Sequence, residues 1–173
     1  MAHYTERIMD VLETVIAYHK TNTNFTDYNA FSVLRRFRPT LDVDNVPTTG
    51  IIIICPLAND YKRLTRAKST NHLIRVQFGI HFKIVAVEDE DVEQVEIDNM
   101  IEFMEEIIDV CMNTNNTDQG GSGVYSFQEA DVITDDNDLP FRYDALKDHN
   151  IFQAIFTATW NATFATKALT YTP

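Results

Sequence analysis

The sequence predicts an α+β fold, a mixed or antiparallel sheet with two long amphipathic strands packed against two helices. Two observations carry this expectation. From Ile74 to Ile84 apolar residues hold every second position, and from Phe152 to Phe164 the same period of two returns. Between these runs Ile97, Ile101, Met104, Ile108 and Cys111 recur at helical spacing, which adds a helix to the strands.

Taken in order, Ile8, Leu12, Val15 and Ile16 recur at helical spacing from Thr5 to Lys20, with Glu6, Asp10 and Glu13 opposite. They predict an amphipathic helix whose early acids suit the helix dipole. The polar stretch Thr21–Asn29 is a loop. Phe31–Phe37 is a short strand that stops at Arg38-Pro39, because proline has no N–H to donate to a strand ladder. Leu41–Gly50, with Asp42, Asp44, Asn45, Pro47 and a closing glycine, is a loop or a hairpin connection. Ile51–Ile54 is a strand by β-branching, and four isoleucines in a row imply burial on both faces.

Pro56 closes that strand. The basic segment Asn59–Thr70 follows as an exposed connection, with strand character around Tyr61–Thr65. In the long strand that comes next, Arg75, Gln77, Gly79, His81 and Lys83 form the polar face, so His81 is expected at the surface. Glu88–Asp91 ends the strand, and the second helix covers Val92–Met112 with Glu102, Glu105, Glu106 and Asp109 on its outer side. Asn113–Gly123 is a loop, Val124–Ile133 a weaker strand, Thr134–Asp138 an acidic turn and Leu139–His149 a connection. The final strand sets Phe152, Ala154, Phe156, Ala158, Trp160, Ala162 and Phe164 against Gln153, Thr157, Thr159, Asn161 and Thr163.

The chain has 173 residues, near the usual size of one domain, and 45% hydrophobic residues with eleven Phe and seven Tyr supply material for a core. Cys55 and Cys111 are too few for a disulfide framework and are expected as small buried hydrophobes, with a single bridge between them left open. The N-terminus carries no apolar signal segment, and the longest apolar run, Ile51–Cys55, is far short of a membrane span. A soluble protein that stays where it is made is the expectation.

The net charge of −12 argues against general nucleic-acid coating. Its distribution is uneven. Residues 1–86 carry eleven Lys and Arg against seven Asp and Glu, while residues 87–173 carry three against nineteen. Such halves suit a subunit whose basic surface meets a neighbour's acidic one, or they pack against each other within one copy.

A domain of this length is expected to be roughly 40 Å across, whereas a straight strand over Leu73–Val87 would reach about 50 Å. That strand must bend, with a bulge at Gly79 as one route, or project toward a partner. Unpaired edges on such strands are normally covered by another subunit or protected by charge.

No catalytic frame is present. His3, His19, His72, His81 and His149 are scattered without the spacing of a zinc site. Asp135-Asp136-Asn137-Asp138 lacks the mid-loop Gly and terminal Glu of a calcium loop and is expected as an acidic turn. Gly120-Gly121-Ser122-Gly123 opens into a strand and lacks the Lys of a phosphate-binding loop. Arg35-Arg36-Phe37-Arg38 and Lys62–Arg75 could touch nucleic acid, with Phe37 and Tyr61 available to stack, and the overall acidity favours a protein contact instead.

The order of segments resembles the tail-terminator, or tail-completion, proteins of tailed bacteriophages and gene transfer agents. It runs from an N-terminal helix and a basic strand to Ile51-Ile52-Ile53-Ile54-Cys55-Pro56 with its basic sequel. A long strand, an acidic helix, a glycine loop and an aromatic last strand follow. The likeness covers Ile8–Phe164 and lies in pattern rather than in a diagnostic motif. It implies one tail-terminator-like domain over residues 1–173, forming a homohexameric ring in the virion after assembly in the host cytoplasm. It also implies partners: the tail tube protein, the neck or connector protein, the sheath protein if the tail contracts, and genomic DNA that passes through without specific binding. No catalytic residue, metal, cofactor or membrane enters that role. Arg35, Arg36, Arg38, Lys62, Arg63 and Arg66, with Asp135, Asp136 and Asp138, are the candidate interface residues. Other readings are a neck or head-completion protein, a tube subunit, a small carboxylate- and metal-dependent hydrolase, or a monomeric acidic adaptor.

Overall fold

The computed structural model describes residues 9–10, 12–14, 16–17, 31–57, 60–63, 69–84, 90–113 and 123–165. Helix α1 is helical at the described positions of 9–17. Strands β1 (Ser32–Arg35), β2 (Ile51–Pro56), β3 (Asp60–Arg63) and β4 (Ser69–Lys83) follow it in the chain. Then come α2 (Glu90–Asn113), β5 (Gly123–Ile133), α3 (Tyr143–His149) and β6 (Ile151–Ala165). The strands form one sheet in the order β1-β2-β4-β6-β5, with β3 pairing β4 beyond the end of β2. Because β6 occupies the other side of β4 along its whole length, β3 lies on the β1/β2 side. The fold is therefore α+β with a mixed sheet: β1 and β2 run parallel and every other pair is antiparallel.

The two periodic runs become the backbone of the molecule. β4 and β6 pair without interruption over fifteen positions, from Ser69↔Ala165 to Lys83↔Ile151, about 50 Å of ladder. No bulge falls at Gly79. The bulge sits instead in β5, where Gln128 is the extra residue between Phe127 and Glu129. α2, with 24 residues, is about 36 Å long, so no single helix covers the strands from end to end.

One sheet face holds the main core. Ile74, Val76, Phe78 and Ile80 of β4 meet Phe152, Phe156, Ala158 and Trp160 of β6, under Met100, Phe103, Met104, Ile107 and Cys111 of α2 and Leu12 and Ile16 of α1. Paired positions stack: the rings of Phe78 and Phe156 lie 4.6 Å apart and nearly parallel, while Phe127 meets Trp160 edge-on at 5.7 Å. Ile97, Met104 and Cys111 point inward as their spacing requires. Ile101 and Ile108 are only partly buried, because Met100, Phe103 and Ile107 turn the buried stripe one position away from them. Ile8 and Val15 lie outside the described residues.

The second face is not open. β2 places Ile52 and Ile54 in the main core and Ile51, Ile53 and Cys55 in a smaller cluster with Leu41, so its two-sided burial is as the isoleucine run implies. The segment joining β1 to β2 lies over that cluster. Parallel neighbours cannot be joined by a tight turn, and this rules out the hairpin alternative for Leu41–Gly50. The connection crosses the sheet, makes a short 3-10 turn at Val43–Asn45 and returns through Gly50 at φ +78°. A side chain at Gly50 would run into the buried ring of Phe31. Gly79 has a related task, since a Cβ there would overlap the Pro39 carbonyl as the connection passes over β4.

Further expectations change. Leu139–His149 is not a plain connection, for it contains α3, a third helix, capped by Asn150 in the left-handed conformation with its N–H 2.9 Å from the Leu146 carbonyl oxygen. Cys55 and Cys111 are both free and buried in clusters on opposite faces of the sheet, which excludes their bridge. Burial pushes the Cys55 thiol up to about 11 and the Cys111 thiol higher still.

Candidate functional site

The strands at the two ends of the β1-β2-β4-β6-β5 path lie in segments of opposite sign, and β3, paired only with β4, forms a further edge on the β1 side. Phe31–Pro39, which includes β1, contains three arginines and no acid; Gly123–Phe141, which includes β5, contains five carboxylates and no Lys or Arg. β1 pairs only with β2 and β5 only with β6 among the described residues. Four strand spacings separate them, about 19 Å.

On the basic edge the arginines have different surroundings. Arg35 is half-buried and ion-paired within the chain, to Asp10 and, at 2.8 Å, to Glu13 of α1. It fastens the edge strand to the helix layer. Arg36 and Arg38 are exposed, and between them Phe37 is 96% exposed, the most exposed large apolar side chain among the described residues. Leu34, 40% exposed, extends this apolar edge. Lys62 and Arg63 are on β3, which places their backbone on the same side of the sheet as β1, and Arg66 lies outside the described residues.

On the acidic edge β5 presents Glu129 and Asp131, both exposed, and runs into the turn that holds Asp135, Asp136 and Asp138. Asp135 organises this turn. Its carboxylate accepts hydrogen bonds from the backbone N–H groups of Asn137 (2.8 Å), Leu139 (3.0 Å) and Tyr143 (3.3 Å) and from the Asn137 amide (3.3 Å). Desolvation alone would raise its pKa, but these donors outweigh it and hold the group below the usual carboxylate range. Asp138 takes the left-handed conformation at φ 62°, which Asp tolerates better than most side chains. Asp136 and Asp138 are exposed.

α3 turns this edge into a concavity. A groove of about 600 Å³ lies between Ile133 and the acidic turn on one side and Tyr143, Asp144, Lys147 and Asp148 on the other, floored by Gln153 and Ile155 of β6. Ile133 and Tyr143 are 45% and 46% exposed. Arg142 pairs with Asp144, and the hydrogen bond from its guanidinium holds the Asp144 carboxyl below its ordinary range. The acidic turn is legible in the sequence, but Tyr143, Asp144 and Asp148 are not, because α3 buries only Ala145 and Leu146 and leaves no periodic signal.

Between the two edges a hydrogen-bonded chain crosses the second face. His81, expected at the surface, has no exposed area because the β1–β2 connection covers it. Gln153 donates through Nε2 to His81 Nδ1 at 3.0 Å and accepts through Oε1 from Arg142 at 3.2 Å. This arrangement leaves the His81 proton on Nε2, where it is donated to the Pro39 carbonyl at 2.7 Å.

No protein-family model and no curated protein matches this chain. Among the described residues no group of three or more His, Cys, Asp or Glu is placed to hold a metal ion, and no helix is long and apolar enough to cross a membrane. What these residues offer chemically is a pair of contact surfaces, one basic with an exposed aromatic, one acidic and concave.

Proposed function

We propose that this chain is a structural virion subunit of the tail-terminator kind. It closes into a six-membered ring on the finished tail tube, stops tube polymerisation and presents its other side to the neck or connector protein, and to the sheath protein where the tail contracts. One observation carries the reading: the strands at the two ends of the β1-β2-β4-β6-β5 path lie in segments of opposite charge and neither is covered by another described strand. Unlike edges on opposite sides of a subunit give head-to-tail contacts, and such contacts make rings when the rotation closes. The fifteen-residue ladder supports it as well, being about 10 Å longer than the expected diameter of a domain this size.

Edge contacts would leave the two sheet faces for lumen and exterior. α2 carries nine carboxylates and no Lys or Arg. Turned toward the lumen, that helix would keep genomic DNA moving by repulsion, without specific binding. The test is native mass measurement of the purified chain, followed by electron microscopy of tail tubes mixed with it. Six-membered rings on tube ends are expected. A strict monomer that leaves the ends bare would sink the proposal, and extended stacks would favour a tube subunit.

A further inference from the structure

We infer that Phe37 of one copy, flanked by Arg36 and Arg38, seats in the groove beside Tyr143 of the next copy. This rests on the ring-subunit reading and names the contact that would build the ring.

An aromatic side chain 96% exposed between two exposed arginines is an unpartnered anchor. Phenylalanine and arginine are both enriched in protein interfaces, and arginine is among the residues that dominate their energetics. The groove answers it in shape and sign. Its partly exposed apolar members, Ile133 and Tyr143, can cover a ring, and four carboxylates line it against two cations, of which Arg142 is already paired with Asp144. Phe37 follows β1 and the groove follows β5, so the two lie toward opposite edges of one sheet. Knob and groove also differ from each other, so the contact is head-to-tail and leaves a free knob at one end and a free groove at the other. A second copy is the occupant that carries both complements.

The experiment places p-benzoylphenylalanine at position 37 and mixes this protein with an isotopically labelled wild-type copy before irradiation. An adduct joining position 37 of one copy to residues 133–148 of the labelled copy is expected. Arg36→Glu combined with Arg38→Glu should weaken self-association at least tenfold without moving the thermal midpoint, and Asp136→Lys with Asp148→Lys in the partner copy should restore it. Adducts from 37 to 37, adducts to any other segment, or transfer to nucleic acid overturn the inference. Closed rings without the 37-to-groove adduct overturn it while leaving the ring reading intact. The adduct in open chains upholds the contact and overturns the ring. A chain that stays monomeric on and off the tube overturns both.

Discussion

Nε2 of His81 donates a 2.7 Å hydrogen bond to the carbonyl of Pro39, 42 residues away in sequence. The contact ties the β1–β2 connection, a parallel crossover, to β4, the strand at the sheet's centre. Burial, the largest influence, lowers the His81 pKa below 6.5, against a smaller opposing effect of the Pro39 carbonyl. The folded state therefore prefers neutral imidazole. As pH falls below about 6.5 the unfolded chain takes up the proton first, so stability is lost from there down through the folded pKa. Denaturant midpoints of the wild type should fall between pH 7 and 5, and His81→Asn should flatten that slope while costing about 1–3 kcal/mol at pH 7 for the groups it leaves unpaired. An unchanged slope in the variant would remove His81 as its source.

The same crossing predicts the effect of Gly79→Ala. The new methyl would overlap the Pro39 carbonyl, backbone that cannot swing aside as a side-chain tip can. A loss of about 1–3 kcal/mol is expected from overpacking, although alanine ordinarily gains over glycine in a strand. Urea unfolding measures it. A stability equal to or above the wild type would mean that the connection is not seated on β4.

Arg35 and Arg36 are adjacent but should respond differently to charge reversal. Arg35→Glu would set a third carboxylate beside Asp10 and Glu13 and detach β1 from α1. Discounted for its partial exposure, the cost is about 1 kcal/mol or somewhat more. Arg36→Glu, at an exposed position, should shift the thermal midpoint by less than about 0.5 kcal/mol equivalent. Calorimetry of the two variants separates them, and equal shifts would show that Arg35 is not the residue that fastens the edge.

These residues also show which parts of the molecule can be read from its chain. β4 and β6 are legible because alternation over more than ten positions is a local signal, and β2 because four β-branched residues in succession fit only a strand covered on both sides. His81 and Gln153 mislead by the same alternation. They stand at polar positions, and they are buried by distant partners: Pro39, 42 residues from His81, covers the histidine, while Gln153 is held by His81 and Arg142. α3 escapes notice because only Ala145 and Leu146 of its seven residues are buried, too few to set a period. The charges of both edges are visible in the sequence, but the groove is not, since it exists only where α3 packs beside the end of β5.

The acidic helix supplies a last prediction, with the opposite sign to that of His81. Desolvation, then Glu102 and Asp109 on the same helix, raise the Glu106 pKa above 4.5. Folding therefore favours its protonated form. The benefit is complete below the unfolded pKa and is lost as pH rises through the folded one, so at pH 7 the ionised group opposes folding. Glu106→Gln removes a like-charge contact at i,i+4 and one at i,i+3, together worth about 0.3–0.8 kcal/mol on an accessible helix surface. The variant should be more stable than the wild type at pH 7 in low salt. Raising the ionic strength should narrow that difference, and below pH 4, where Glu106 is protonated in both states, it should vanish. A gain that persists at low pH would have to come from packing rather than charge. If α2 faces the lumen, the wild-type penalty is what a helix crowded with carboxylates costs the fold in exchange for repelling DNA.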